Sequence, residues 1–275
     1  MISYEKQKTE LCGVSNARQL GGYTVADGKK IKNNVVFRTG ALFGASPETV
    51  DELCRKYKVS DIIDFRMEQE KAAMPEPDIK GARYHSVSVL NDIPVSKEDF
   101  EVYKQLLTVK DAALKYKTMY DANIDISSSK VYKALAFGND GIKGYKKFFE
   151  ILLNKPQNAA VLFHCTQGKD RTGMAAILLL SALGADRETV IADYLMTNEA
   201  CKPLLDRIRS ELKKADTPKE VLDFAMFIES VDISFIEPIF ETMDKEFGSV
   251  NGYLQNAIGL TVGDIKRLKE IYLEP

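Results

Sequence analysis

The chain has 275 residues, a length that fits one large domain or two small ones, and its 45% hydrophobic content supports a sizeable core. Lys and Arg number 38 against 40 Asp and Glu, so the net charge of -2 gives no global field to draw nucleic acid or an anionic membrane, and any attraction for anions has to be local. Two His and four Cys without paired spacing are too few for a Cys/His metal cluster and point to a reduced, cytoplasmic setting; no metal and no cofactor is expected.

The opening MISYEKQKTE is charged and lacks the apolar centre of a signal peptide. Residues 11–42 read as loop and short strands, with Gly21-Gly22, Asp27-Gly28 and Asn33-Asn34 as turn signals. Ser46-Pro47 is an N-cap and a favoured first helical residue, opening a helix to about Lys56 that sets Val50, Leu53 and Cys54 on one face. Val59 to Phe65 has the continuous apolar centre of a buried parallel strand, and such strands deliver functional residues, here Asp64 and Arg66, at their C-terminal ends. The ordinary reading of Arg66 is a pair with Glu70 one helical turn away. Residues 83–90 alternate as another strand, and its His85 reads as a hydrogen-bonded core or edge residue rather than a catalyst.

From Ser96 to Leu153 the pattern is helical, with Phe100, Tyr103, Leu106 and Leu107 and then Tyr145, Phe148, Phe149, Leu152 and Leu153 at helix spacing. Between them the polar run DANIDISSSK, 121–130, predicts a surface loop, and Pro156-Gln157-Asn158 a turn back to the interior. The stretch 160–184 then reads as a short apolar strand, a tight polar loop with Gly168, and a buried helix from Met174 to Leu183 too short to span a bilayer. Helices follow at 186–197, 203–214 and 217–228, the last opened by Thr217-Pro218, and a packing layer closes the chain through 262–273.

Chemistry concentrates in the loop. Successive backbone N–H groups curling into a helix N-terminus make an anion site, and phosphate or sulfate is its natural occupant. Cys165 stands at the start of that loop, where the converging donors favour negative charge on sulfur. Arg171 returns at the helix start, where its planar fork suits two oxygens of a phosphoryl group. Either residue alone is ordinary; His164, Cys165, Gly168, Arg171, Thr172 and Gly173 together in one window are not.

The run HCTQGKDRTG resembles the C-x5-R-[ST] signature of cysteine-dependent phosphatases, and its Gly-Lys-Asp-Arg-Thr-Gly ending is similar to bacterial tyrosine and lipid phosphatases of the mycobacterial protein tyrosine phosphatase B type. The likeness extends to Asn16-Ala17-Arg18-Gln19-Leu20-Gly21-Gly22, to Phe37-Arg38-Thr39-Gly40-Ala41-Leu42, to Asp64-Phe65-Arg66 with Glu70, and to Tyr194-Leu195-Met196-Thr197-Asn198. Gln19 and Ala17 depart from the acid and the aromatic usual there. The resemblance implies one phosphatase domain over 1–275, an α/β fold with a central, mostly parallel sheet flanked by helices, and an additional helical layer or a lid over 199–230.

It also implies hydrolysis of phosphate monoesters through a phosphocysteine on Cys165, on phosphotyrosine first, with phosphoserine, phosphothreonine and phosphoinositides open. Phosphate would lie among Thr166, Gln167, Gly168, Lys169, Asp170, Arg171 and Thr172. Thr172 can donate to the sulfur or cap the helix; Lys169 can meet a second phosphate or offset Asp170. Two carboxyls compete for general acid, Asp170 within the loop and Asp64 at a neighbouring strand end, and Asp170 is preferred because the signature includes it. A sulfurtransferase loop gives no reason for the Arg, and a phosphate-binding module without catalysis gives none for the full set of nucleophile, Arg and acid.

Overall fold

The apolar runs that read as strands assemble into one five-stranded sheet in the computed structural model, which describes residues 3–91, 101, 102, 105, 106, 109–123 and 128–275. The helical positions expected at Phe100, Tyr103 and Leu107 lie outside those residues. The strands are β1 (Arg18–Gln19), β2 (Val36–Thr39), β3 (Val59–Asp64), β4 (Arg83–Ser86) and β5 (Ala160–His164), in the order β1-β2-β5-β3-β4. β1 is antiparallel to β2, and the pairs β2–β5, β5–β3 and β3–β4 are parallel. β5 is central and all five of its residues are buried, which is why it reads as an unbroken apolar run. The register sets Thr39 beside His164 and His164 beside Asp64, so three strands end at one level.

Ten helices matter for the site: α1 (Glu68–Ala73), α2 (Ala112–Asp121), α3 (Ser128–Phe137), α4 (Asn139–Leu153), α5 (Asp170–Leu183), α6 (Arg187–Ala200), α7 (Lys202–Lys214), α8 (Lys219–Glu229), α9 (Ile233–Phe247) and α10 (Val262–Tyr272). α5 is apolar on every side after its first turn and lies in the main core, ending at Gly184 in the left-handed conformation that closes helices. α4 turns Tyr145, Phe148, Phe149 and Leu152 inward, and Phe148 stacks edge-on against Phe65 and Phe163 with centroids 5.6 and 5.1 Å apart. Full burial of each such side chain contributes roughly 1.5–3 kcal/mol. A second, smaller cluster lies around Phe37, Leu53 and Ile62, with Cys54 packed against it.

A third cluster is separate from both. Tyr116 and Met119 of α2, Ile208 and Leu212 of α7 and Val221 and Ala225 of α8 form a core of their own with Leu106. This three-helix cap includes most of the 199–230 segment expected as a helical layer or lid.

Several sequence readings shift. The strand expected over 83–90 ends at Ser86; the Val87 amide makes a further bond to Asp64 O at 2.8 Å, and its side chain packs in the main core. Within the polar run 121–130, Asp121 closes α2 and Ser128 already begins α3, while 124–127 lie outside the described residues. Ser46 caps as expected, accepting from the Thr49 amide at 3.2 Å. Pro218 occupies the N-cap of α8 without a side-chain bond, so Thr217 does not cap it. No helix among the described residues is long and apolar enough to cross a membrane.

Candidate active site

The loop from Cys165 to Lys169 leaves the end of β5 and enters α5. Three of its carbonyls are engaged from behind: the Ala41 amide donates to Thr166 O at 3.0 Å, Asn16 Nδ2 to Gln167 O at 3.1 Å, and both Asn16 Nδ2 and Arg38 Nη2 to Gly168 O, at 2.8 and 2.9 Å. In a trans peptide the N–H points opposite to its carbonyl, so these bonds turn the amides of residues 167–169 the other way, into the mouth of the loop. Gly168 has φ +69°, and a Cβ there would lie 2.4 Å from Thr39 O, so only glycine lets the loop pass this close to β2.

The bracing is itself buried. Arg18 and Arg38 are fully enclosed and share Asp193 of α6: Arg18 Nε donates to Oδ1 at 3.2 Å and Arg38 Nη1 to Oδ2 at 2.5 Å, with Tyr23 OH also on Oδ1 at 2.8 Å. Arg18 further bonds Asn16 Oδ1 and Thr197 Oγ1, which joins the family-like segments at 16–22, 37–42 and 194–198 into one network behind the loop. Burial opposes the charge on Asp193, but the two guanidiniums outweigh it and its pKa stays below the usual carboxylate range. Sequence reasoning missed this role. The signal present was two arginines on adjacent strands with no surface reason to be there.

In front of the loop is a cavity of about 290 Å³ that collects Cys165, Thr166, Gln167, Lys169, Asp170 and Arg171. Gly168 faces backward and Thr172 is buried with Oγ1 lacking a hydrogen-bond partner, so no capping bond is made. Larger clefts of about 700 and 470 Å³ around Ala26 and Gly184 contain no cysteine and no loop amides.

Arg171 reveals a second missed residue. Its guanidinium is forked by Glu70, Nη1 to Oε2 at 2.5 Å and Nη2 to Oε1 at 2.8 Å, and Thr166 Oγ1 also donates to that carboxylate. Burial would raise the Glu70 pKa, but Arg171 holds it at about 2. The expected Arg66–Glu70 pair is therefore incorrect. Arg66 instead forks Asp64, with Nε and Nη2 at 3.0 and 2.8 Å from Oδ2, and lies 2.5 Å from Glu76. The i, i+4 spacing misled because α1 begins only at Glu68, which leaves Arg66 in a turn that points back along β3.

The two candidate acids sit differently. Asp64 is fully buried, also accepts from Tyr84 OH, and is not among the groups lining the cavity. Burial opposes its ionisation, His164 and Arg66 favour it, and the carboxyl is held at about 2. Burial also pushes His164 down to about 4, so at neutral pH the histidine is uncharged and Arg66 is the cation that matters. Asp170 lines the cavity, keeps about a third of its side chain exposed, and accepts from Tyr132 OH at 2.8 Å, which in turn accepts from Tyr194 OH at 2.7 Å. His85 lies away at the sheet edge, bonded to Asp61 at 2.8 Å.

The cap closes over the loop. Lys169 Nζ donates to Ile228 O and lies 3.7 Å from Asp170, while Gln167 Nε2 donates to Glu229, the last residue of α8. Behind α8, Asn198 of α6 holds Val231 on both sides, donating to its carbonyl at 2.7 Å and accepting from its amide at 2.9 Å.

A family model described as the tyrosine phosphatase family matches residues 9–274. The chain is 26% identical over 253 residues to a Cupriavidus necator protein that carries the name of a tyrosine-protein phosphatase, covering 92% of this chain and 85% of that one. It is 32% identical over 121 residues to the triple specificity protein phosphatase PtpB of Mycobacterium tuberculosis, covering 41% and 44% respectively. A tyrosine-protein phosphatase of Nostoc commune is 26% identical over 137 residues, 49% of this chain and 39% of its own. With nearly its whole length matched by that family model, the chain belongs to the tyrosine phosphatase family.

Proposed function

We propose that the protein hydrolyses phosphotyrosine through a phosphocysteine on Cys165, with Asp170 as general acid. The sulfur attacks phosphorus as the bond to the tyrosyl oxygen breaks; Asp170 gives its proton to that oxygen, and the phosphoryl group passes to sulfur. Water then attacks phosphorus, its proton returning to Asp170, and the thiolate leaves with inorganic phosphate released. Arg171 and the amides of residues 167–169 hold the equatorial oxygens through both steps. The observation that supports this reading is the cavity shared by Cys165, Arg171 and Asp170.

Asp170 is favoured over Asp64 because it lines that cavity and because Tyr132 OH fixes Oδ1, leaving Oδ2, among the described residues, with only the Lys169 ammonium 3.7 Å away. The unpartnered Thr172 hydroxyl, buried at the first turn of α5, is a donor available to the leaving sulfur in the second step. Apolar walls from Met74, Leu106, Met119 and Ile228 suit an aryl ring above the loop. Phosphoserine, phosphothreonine and phosphoinositides are the other substrates to assay.

Cys165→Ser is expected to keep sulfate binding and lose turnover of an aryl phosphate; retained turnover would refute the mechanism. Asp170→Asn should slow a poor leaving group by about 100-fold and spare one that needs no protonation. Asp64→Asn should show no such leaving-group dependence.

A further inference from the structure

Glu229 is an anion in the wrong place for a phosphatase. It belongs to the cap, yet its carboxylate is buried in the cavity that receives a dianionic substrate. Four groups face it there. Tyr116 OH donates to Oε1 at 2.7 Å, Gln167 Nε2 donates to Oε2, and the ammonium groups of Lys169 and Lys115 supply the charge. Burial opposes ionisation of Glu229, and these four override it, holding the pKa below the usual carboxylate range. Two of them, Gln167 and Lys169, are loop residues, and two, Lys115 and Tyr116, come from α2.

Packing of α8 does not require this arrangement. Val221 and Ala225 already anchor the helix in the cap's own core, and Asn198 fixes the chain just beyond it. Tyr116 OH and Gln167 Nε2 already hold a side-chain carboxylate there, so the pocket fits one in size and in donors.

We propose that the Glu229 pocket is a second anion subsite, filled in the closed cap by the chain's own glutamate and taken over by an Asp or Glu side chain flanking the phosphotyrosine of a peptide substrate. The proposal rests on the phosphotyrosine reading above and extends it. Rotating the Glu229 side chain out of the pocket, with α8 still anchored in the cap, withdraws it from Gln167, Lys169, Lys115 and Tyr116. The same donors then hold the acidic neighbour while Cys165 and Arg171 hold the phosphoryl group, and no bond is made or broken at the subsite.

The test compares two phosphotyrosine peptides, one with Glu or Asp on both sides and one with Ala there. The wild type should show about tenfold higher kcat/KM for the acidic peptide, carried by KM, the size of one charge-assisted contact. The double change Lys115→Met with Tyr116→Phe should bring that ratio close to one. Glu229→Ala should raise kcat/KM for the acidic peptide several-fold and for the neutral peptide less, and Glu229→Gln, which keeps the length and removes the charge, should act in the same direction. Equal use of the two peptides by the wild type, a ratio unchanged by the double change, or a fall in both rates on Glu229→Gln would overturn the proposal. So would a stronger advantage for a soluble inositol bisphosphate than for the acidic peptide. Aryl phosphate turnover that depends on Cys165, measured alongside, reports separately on the phosphatase reading.

Discussion

The loop from Cys165 to Lys169 has two faces built on opposite terms. Behind it, Asn16 and the buried Arg38 bond loop carbonyls, Arg18 braces Asn16, and both arginines share Asp193, within the frame of the main core. In front, Glu229 and Ile228 meet Gln167 and Lys169 from a cap whose apolar cluster is separate from that core. Both faces use buried charge. The difference is what stands behind the charge: a β-strand ladder on one side, and helices with an apolar core of their own on the other. A buried ion pair fixed to a sheet specifies a shape, whereas one fixed to a separable cap specifies a state.

The sharpest way to break the comparison is at Asp193. Asp193→Asn leaves Arg18 and Arg38 enclosed without their shared anion, and should cost about 3–5 kcal/mol in urea unfolding, the range for half of a buried pair. If the rear face is the rigid one, this loss should far exceed any stability change caused by Glu229→Gln. Next is Glu70, which spans from α1 to Arg171. Glu70→Gln should lower kcat/KM roughly 10- to 100-fold by releasing the guanidinium fork, with vanadate affinity falling in parallel. It should also flatten the acid limb. The Glu70 carboxyl is held at about 2 against 4.5 ordinarily, so its stabilisation is full above 4.5 and disappears as pH falls toward 2.

The smallest effect is of opposite sign. Glu76 is pushed up by burial to about 7, the nearby Arg66 guanidinium offsetting the rise only in part and Asp64 adding to it. Its stabilisation is greatest below pH 4.5 and declines as pH rises toward 7. Glu76→Gln should therefore leave stability at pH 4.5 nearly unchanged and raise it by about 1–2 kcal/mol at pH 8, read by thermal or urea melts at the two pH values.

What could be read from the sequence follows the same division. The strand and helix around Cys165 carry periodicity and a dense motif, and the chain places Cys165, Asp170 and Arg171 at one cavity. Arg38 and Asn16 were visible only as members of a family-like segment, because contacts 130 to 152 residues apart leave no local spacing to read. Glu70 was assigned the wrong partner for the complementary reason: a near neighbour, Arg66, satisfied a local rule that the turn before α1 does not obey. Glu229 gave no signal at all, since one glutamate at a helix end reads as solvated until the cap is folded over the loop.

The rearward bonds to residues 166–168 have a cost at the end of the cycle. Under the proposed mechanism, a cradle assembled before anything enters it pays no ordering entropy on capture, and it grips the spent inorganic ion with the same amides that gripped the ester. On the same proposed mechanism, relief comes from the other side, where the Glu229 carboxylate competes for Gln167 and Lys169 as the product leaves.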